Sequence, residues 1–231
     1  GAADVMIAGG AGCRLHPLAI LARGETLLSH RHLDCERACR PFDRNRDGMV
    51  NGEGAGAFVL ESADHAARRK AIVRGRVLAT CCRHEPRRTR TSPLEGRSLA
   101  AAIRGALAAT GLSAKDLSHV NANGLATTVE DRIEARAIHD TLGRVPVTAP
   151  KGSFGHLGAG TGVVELAASL VGLEHGLIPP TCNHEETDAE CPVDVVHGEP
   201  RPAGSGGILT VNVARTGQAA ATVVMPPAGP A

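Results

Sequence analysis

The chain has 231 residues, 42% of them hydrophobic, enough to close one large core or two small ones. Its 25 Lys and Arg balance 24 Asp and Glu, so it lacks the basic surplus that draws nucleic acid or an anionic membrane, and neither partner is expected. No apolar run reaches the ~18 residues of a membrane span and the first ten residues lack the charged start of a signal peptide, which makes a cytoplasmic location the default expectation.

In chain order, ADVMIAGG at 3–10 and GAGAFVLES at 54–62 are apolar runs bounded by glycine and predict short buried strands. Residues 17–41 between them predict a helical or loop excursion ending at Pro41. AIVRGRVLAT at 71–80 predicts a third strand, followed by a polar, basic surface loop, CRHEPRRTRTSPLEG. SLAAAIRGALAATG then puts Leu99, Ile103, Ala106 and Leu107 on one helical face with Gly111 as its stop. Ser113 and Asp116 have capping-box spacing before LSHVNANG, a strand ending in a turn. TTVEDRIEARAIHDTLG repeats the helix logic with Ile133, Ala137 and Ile138 inward, and VPVTAP is the next strand. GTGVVELAASLVGLEHG is a mostly apolar helix whose early charge is Glu165. VDVVHG and GGILTVNVA predict the final strands, and MPPAGPA a tail. Alternating strands and helices argue for an α/β layered fold.

The segment Lys151-Gly-Ser-Phe-Gly-His156-Leu-Gly-Ala-Gly-Thr-Gly162 carries the chemistry. It sets an amine and an imidazole five residues apart before a small-residue helix start. Only three of the 25 basic residues are lysine (Lys70, Lys115 and Lys151), so a lysine kept inside a glycine-rich apolar segment points to a need for a compact ammonium. The segment resembles the Lys-x-x-x-x-His signature of β-ketoacyl-[acyl-carrier-protein] synthases. ADVMIAGG, RPFDRNRDGMVNGEGAGAFVLE at 40–61, VNANG at 120–124 and EHGLIPPTCN at 174–183 extend the resemblance over nearly the whole chain.

The resemblance implies a thiolase-like layered αβαβα fold with its N-terminal half truncated. Residues 1–80 would be the last strands of that half, 81–97 a connecting loop, 98–225 the C-terminal synthase domain and 226–231 a tail. It also implies decarboxylative Claisen condensation of acyl and malonyl thioesters in fatty acid or polyketide synthesis, with a nucleophilic cysteine on a segment upstream of ADVMIAGG. His156 matches the family's second histidine, Lys151 the lysine that shapes the site's electrostatics, and Glu165 an acidic residue beside that lysine. Asp131 and Glu134 fall where the family has an acidic pair, read as structural braces. An acyl carrier protein as partner, no cofactor, and a homodimer or a heterodimer with another synthase subunit are implied as well.

Two departures weigh on the mechanism. Where the family has Asn-Ala-His-Gly-Thr this chain has Asn121-Ala122-Asn123-Gly124-Leu125, and asparagine can donate a hydrogen bond but cannot carry a positive charge. Where the family has a Gly-Phe-Gly-Gly gate, Asn212–Gln218 offers no aromatic residue. Both features are shared with non-catalytic chain-length-factor subunits, which sets a partner subunit, or a degenerate fragment, beside the synthase reading. His156 argues for the synthase.

Other signals are weaker. Asp43, Asn45, Asp47 and Gly48 copy the start of a calcium loop, yet Gly54 stands where its bidentate glutamate belongs. His30, His32, Cys35 and Cys39, and His184 between Cys182 and Cys191, lack paired zinc spacing, so no metal is expected. The seven cysteines follow no framework and are read as reduced thiols. The basic run Arg83 to Arg90 predicts a solvated loop, or a steering patch for an acidic carrier protein.

Overall fold

The computed structural model of the chain describes residues 3–23, 27–30, 34–86 and 94–227. Val5–Gly12 (β1) pairs antiparallel with Gly54–Glu61 (β2) in unbroken register, Val5 opposite Glu61 and Gly12 opposite Gly54. Both expected strands form, but neither is buried throughout: Val5, Met6, Ile7, Val59 and Leu60 are exposed, Ile7 at 73%. Pro17–Arg23 (α1) and a 3-10 turn at Cys35–Arg37 lie between these strands, and Ala63–Arg68 (α2) follows them.

The remaining strands are Arg76–His84 (β3), Leu117–Asn121 (β4), Pro146–Thr148 (β5), Leu177–Ile178 (β6), Asp194–Val195 (β7), Arg201–Pro202 (β8), Gly207–Val213 (β9) and Gln218–Met225 (β10). β6 and β8 pair with each other, and the rest form one sheet in the order β3-β10-β9-β4-β5-β7. Its centre is parallel, β9 to β4 to β5 to β7, and β10 and β3 extend it antiparallel. Arg97–Thr110 (α3) and Thr128–Leu142 (α4) pack on each other, and α3 covers β3 and β10. Leu99, Ala102, Ile103 and Ala106 of α3 join Leu209, Val211, Ala221 and Val223 in the main core. Gly111 ends α3 at φ 69°, the left-handed turn expected of it.

The short helix Lys151–Phe154 (α5) leads to Thr161–Glu174 (α6), which packs between the main sheet and the β1–β2 pair. Leu170 of α6 meets Ile208 and Val224, with Phe58 of β2 against the same cluster. The layers run helix, sheet, helix, sheet, the order a thiolase-like arrangement requires.

Three expectations are corrected. The third strand runs to His84, so Cys81–His84 extend β3 instead of opening the loop at 81, and β3 is bonded into the main sheet. Glu85, expected on a solvated loop, is 5% exposed because its carboxylate accepts the N–H groups of Glu95 (2.6 Å) and Ser98 (3.1 Å). It caps α3, whose N-cap residue is Gly96 and has no side chain to do so. Residues 87–93, most of the basic run, lie outside the described residues. Finally, β10 had no counterpart in the sequence reading: QAAATVVM is rich in alanine, a weak strand former, and gains its place by closing a hairpin onto β9 through Gly217 at φ 99°.

Glycines set how the first strands meet the segment that follows Lys151. A Cβ at Gly12 would stand 1.7 Å from the Leu157 carbonyl oxygen, and one at Gly10 2.2 Å from that of Ala159. Only a backbone without side chains approaches this closely.

Candidate functional site

Lys151 opens α5 directly after β5, and its side chain points into the protein, 1% exposed. Its Nζ donates to Glu165 Oε1 at 2.7 Å, to Asn123 Oδ1 at 3.2 Å, and to the Asn123 carbonyl. Glu165 is fully buried on α6, and burial pushes its carboxyl up while the Lys151 ammonium pulls it down. Three of the four site residues expected from sequence therefore touch. Lys151 also sets the Asn123 amide: an ammonium has only protons to give, so it takes the oxygen and leaves the Nδ2 donor free to face elsewhere.

The Asn123 turn is held from behind by α4. Glu134 accepts the Asn123 N–H at 2.6 Å and the Gly124 N–H at 2.8 Å, one on each oxygen. Asp131 Oδ2 accepts the N–H groups of Phe42 (2.8 Å) and Ala126 (3.1 Å) and lies 3.8 Å from Arg46. Gly124 adopts φ +41°, where a Cβ would press to 2.6 Å from Ala149. Both carboxylates are buried, at 0% and 4% exposure. They brace the turn, the role the family resemblance implied for them.

Burial pushes Asp131 up to about 6 and, with Asp131's charge adding to it, Glu134 up to about 8. Both values exceed those of the unfolded chain, so the folded state keeps protons that the unfolded state has released. Stability from this pair is full below the unfolded values and is lost as pH rises through the folded ones. Urea unfolding free energy should fall between about pH 4 and pH 8, by up to ~1.4 kcal/mol per pH unit for each group. Glu134→Gln should remove the upper limb and cost ~1–3 kcal/mol at pH 6, since its amide N–H must meet the N–H of Asn123 or Gly124. A flat profile in the parent protein would contradict this.

His156 stands on the loop between α5 and α6. Gly155, at φ +73°, turns the chain so that the His156 N–H donates to the Val50 carbonyl at 2.8 Å, and its carbonyl accepts from Gly52 at 3.1 Å. The ring's Nδ1 lies 3.2 Å from Thr161 Oγ1. His156, Thr161 and Asn123 line a cleft of about 970 Å³ together with Asn212, Ala214 and Arg215 of the β9–β10 hairpin. The stretch that departs from the family's aromatic gate thus borders the same cleft as Asn123 and His156. An imidazole and a carboxamide, both able to donate hydrogen bonds, thus border one cleft.

The other signals find structural uses. Asp43 accepts the N–H groups of Glu185 and Glu186, both at 2.7 Å, and of Asn45 at 2.8 Å, so its oxygens are spent on backbone. Among the described residues no three His, Cys, Asp or Glu side chains converge as metal ligands, and His32 lies outside them. None of the seven cysteines is in a disulfide; burial pushes Cys39 and Cys191 up to about 12, far from a reactive thiolate. Cys13 donates to Glu53 at 2.8 Å. No helix among the described residues is long and apolar enough to cross a membrane.

Comparison with known proteins follows the same lines. The family model for the β-ketoacyl synthase N-terminal domain matches residues 1–66, and that for the β-ketoacyl synthase C-terminal domain matches residues 74–185. The chain is 38% identical over 206 residues to 3-oxoacyl-[acyl-carrier-protein] synthase 2 of Mycobacterium tuberculosis, covering 87% of this chain and 49% of that protein. It is 36% identical over 232 residues to the tetracenomycin polyketide synthase ketoacyl synthase alpha subunit of Streptomyces glaucescens, covering 98% and 54%. It spans about half the length of these relatives. Among solved structures it superposes with TM-score 0.92 and 27% identity on a type II polyketide synthase ketosynthase in complex with its acyl carrier protein and bound to the hexaketide, over 99% of this chain and 57% of that one.

Proposed function

The chain belongs to the β-ketoacyl synthase family, and we propose that it forms the second-half site of a condensing enzyme acting on acyl and malonyl thioesters of an acyl carrier protein. In that reaction the acyl group is held on a cysteine. The malonyl thioester loses carbon dioxide, and the electron pair of the broken bond forms an enolate whose carbon attacks the acyl carbonyl; the acyl–sulfur bond then breaks and releases the cysteine as thiolate. Charge develops on the malonyl thioester oxygen, so catalysis needs donors fixed where that oxygen sits. One observation carries the reading: His156 and Asn123 face one cleft, and Asn123 is clamped by Lys151, which is clamped by Glu165. His156 donates to the enolate oxygen, and the Asn123 Nδ2 group is the second donor. Lys151 and Glu165 position Asn123 and supply a net-neutral buried pair. The nucleophile belongs to the part of the relatives that this chain does not match. No cofactor enters these steps.

A division into a first-half remnant ending ahead of β3 and a second-half domain running from β3 to Met225 accompanies this reading. So do a cytoplasmic site of action and a dimer formed with another synthase chain. Fatty acid and polyketide assembly share the chemistry, and the site does not separate them.

Asn123 also favours a second reading, a non-catalytic subunit that pairs with an active synthase, because a neutral amide stabilises an enolate less than an imidazole that can hold a proton. Mass spectrometry separates the two. A protein expressed from the complete gene and mixed with acyl carrier protein thioester gains the acyl mass if it is the enzyme, and none if it is the partner. In the enzyme, Asn123→His should raise carbon dioxide release from malonyl-carrier protein by about tenfold or more. An unchanged rate would remove Asn123 from the reaction.

A further inference from the structure

Thr161 is the first residue of α6, and it is 3% exposed. Its Oγ1 lies 3.0 Å from the Leu157 backbone nitrogen and 3.2 Å from His156 Nδ1. A backbone N–H can only donate, so Leu157 occupies a lone pair of that oxygen. The hydroxyl keeps one proton to give, and among the described residues the His156 ring nitrogen is the acceptor it meets. If Nδ1 carried the ring proton instead, the hydroxyl would accept twice and its own proton would be buried with no acceptor, which is the costlier arrangement.

We propose that Thr161 is a positioning residue that donates to His156 Nδ1 and thereby holds the ring in the tautomer with its proton on Nε2, the nitrogen that the condensation reading assigns to a substrate oxygen. The inference rests on the reading of His156 as an oxyanion donor. It adds which residue makes it one. It also gives α6 a single role, because Thr161 and Glu165 share one buried face a turn apart. The first sets His156 and the second sets Lys151, so one helical turn fixes both halves of the site.

The test uses protein from the complete gene, labelled with ¹⁵N-histidine, with His156→Gln used to assign the ring signals. Two-bond ¹H–¹⁵N correlations at near-neutral pH report which ring nitrogen is protonated. The parent protein and Thr161→Ser should show a protonated Nε2 and a bare Nδ1. Thr161→Val, which keeps the volume and removes the hydroxyl, should show averaged ring signals. It should also lose about tenfold in kcat with KM unchanged, a loss that Thr161→Ser restores. If Thr161→Val does not fold, Thr161→Ala replaces it with the same expected signature. A proton on Nδ1 in the parent, or a ring spectrum unaltered by loss of the hydroxyl, would overturn the proposal. Absence of turnover in every protein, with the ring signature as expected, would instead overturn the condensation reading and leave Thr161's role standing.

Discussion

Lys151→Met should destabilise the protein by about 3–5 kcal/mol at neutral pH, the cost of leaving one partner of a buried ion pair alone. The geometry gives Glu165 no substitute. It is fully buried, its Oε1 meets Lys151 at 2.7 Å, and among the described residues its Oε2 has no protein partner. Methionine fills the volume but offers no proton, so the carboxyl must become neutral or remain an unpaired buried charge. Either way its folded pKa rises further above the unfolded value of 4.5, in the direction burial already pushes it. The variant's folded state then binds a proton that its unfolded state releases. Its deficit should shrink as pH falls toward the unfolded value and grow as pH rises. Adding Glu165→Gln should recover most of the loss, because an amide tolerates burial without a counter-charge. Urea unfolding of the four proteins of this cycle at two pH values measures the coupling. A single-variant loss below about 1 kcal/mol would show that the pair is not the closed unit the distances describe.

How far the sequence announced this site depends on the residue. The Lys151 and His156 pair was legible because its signal is local: spacing, glycines and the rarity of lysine all lie within one short segment. Glu165 was legible as the lone early charge on an apolar helix. The depth of Asp131 and Glu134 was not, since two acids three apart on a helix look the same whether they face water or two backbone N–H groups on another element. Strand β10 was hidden by its alanines, and it exists because β9 and β3 lie on either side of it. The runs of β1 and β2 read as buried because an apolar run bounded by glycines reports what a strand is suited to cover, not whether a layer covers it. The glycines of those strands carried information the pattern did not. Gly10 and Gly12 are small because the carbonyls of Ala159 and Leu157 lie against them, which ties the His156 loop to the first strands. Thr161 left no sequence signal beyond a hydroxyl at a helix start, and its meaning comes from the 3.2 Å that separates it from the ring.

His156→Ala should lower condensation and malonyl decarboxylation by about 10²–10³-fold, the loss that follows removal of one fixed donor from a developing oxyanion. The effect should not be cushioned by Asn123. Its carboxamide oxygen and backbone carbonyl are held by Lys151, and its backbone N–H is held by Glu134, so it cannot swing across the cleft to the vacated place. It is also neutral at every pH, whereas an imidazole can share a proton as charge builds. On the proposed reading, formation of the acyl-cysteine should survive, because there His156 serves the enolate oxygen of the second substrate. Acyl mass gain at the parent rate with carbon dioxide release suppressed is therefore the expected pair of results. Loss of both steps together would place His156 at the nucleophile instead. If the chain is the non-catalytic subunit, the outcome differs in kind: the variant assembles with its synthase and the complex turns over as before. The same substitution thus separates a donor to the enolate, a partner of the cysteine and a residue with no chemical part, by which step stops.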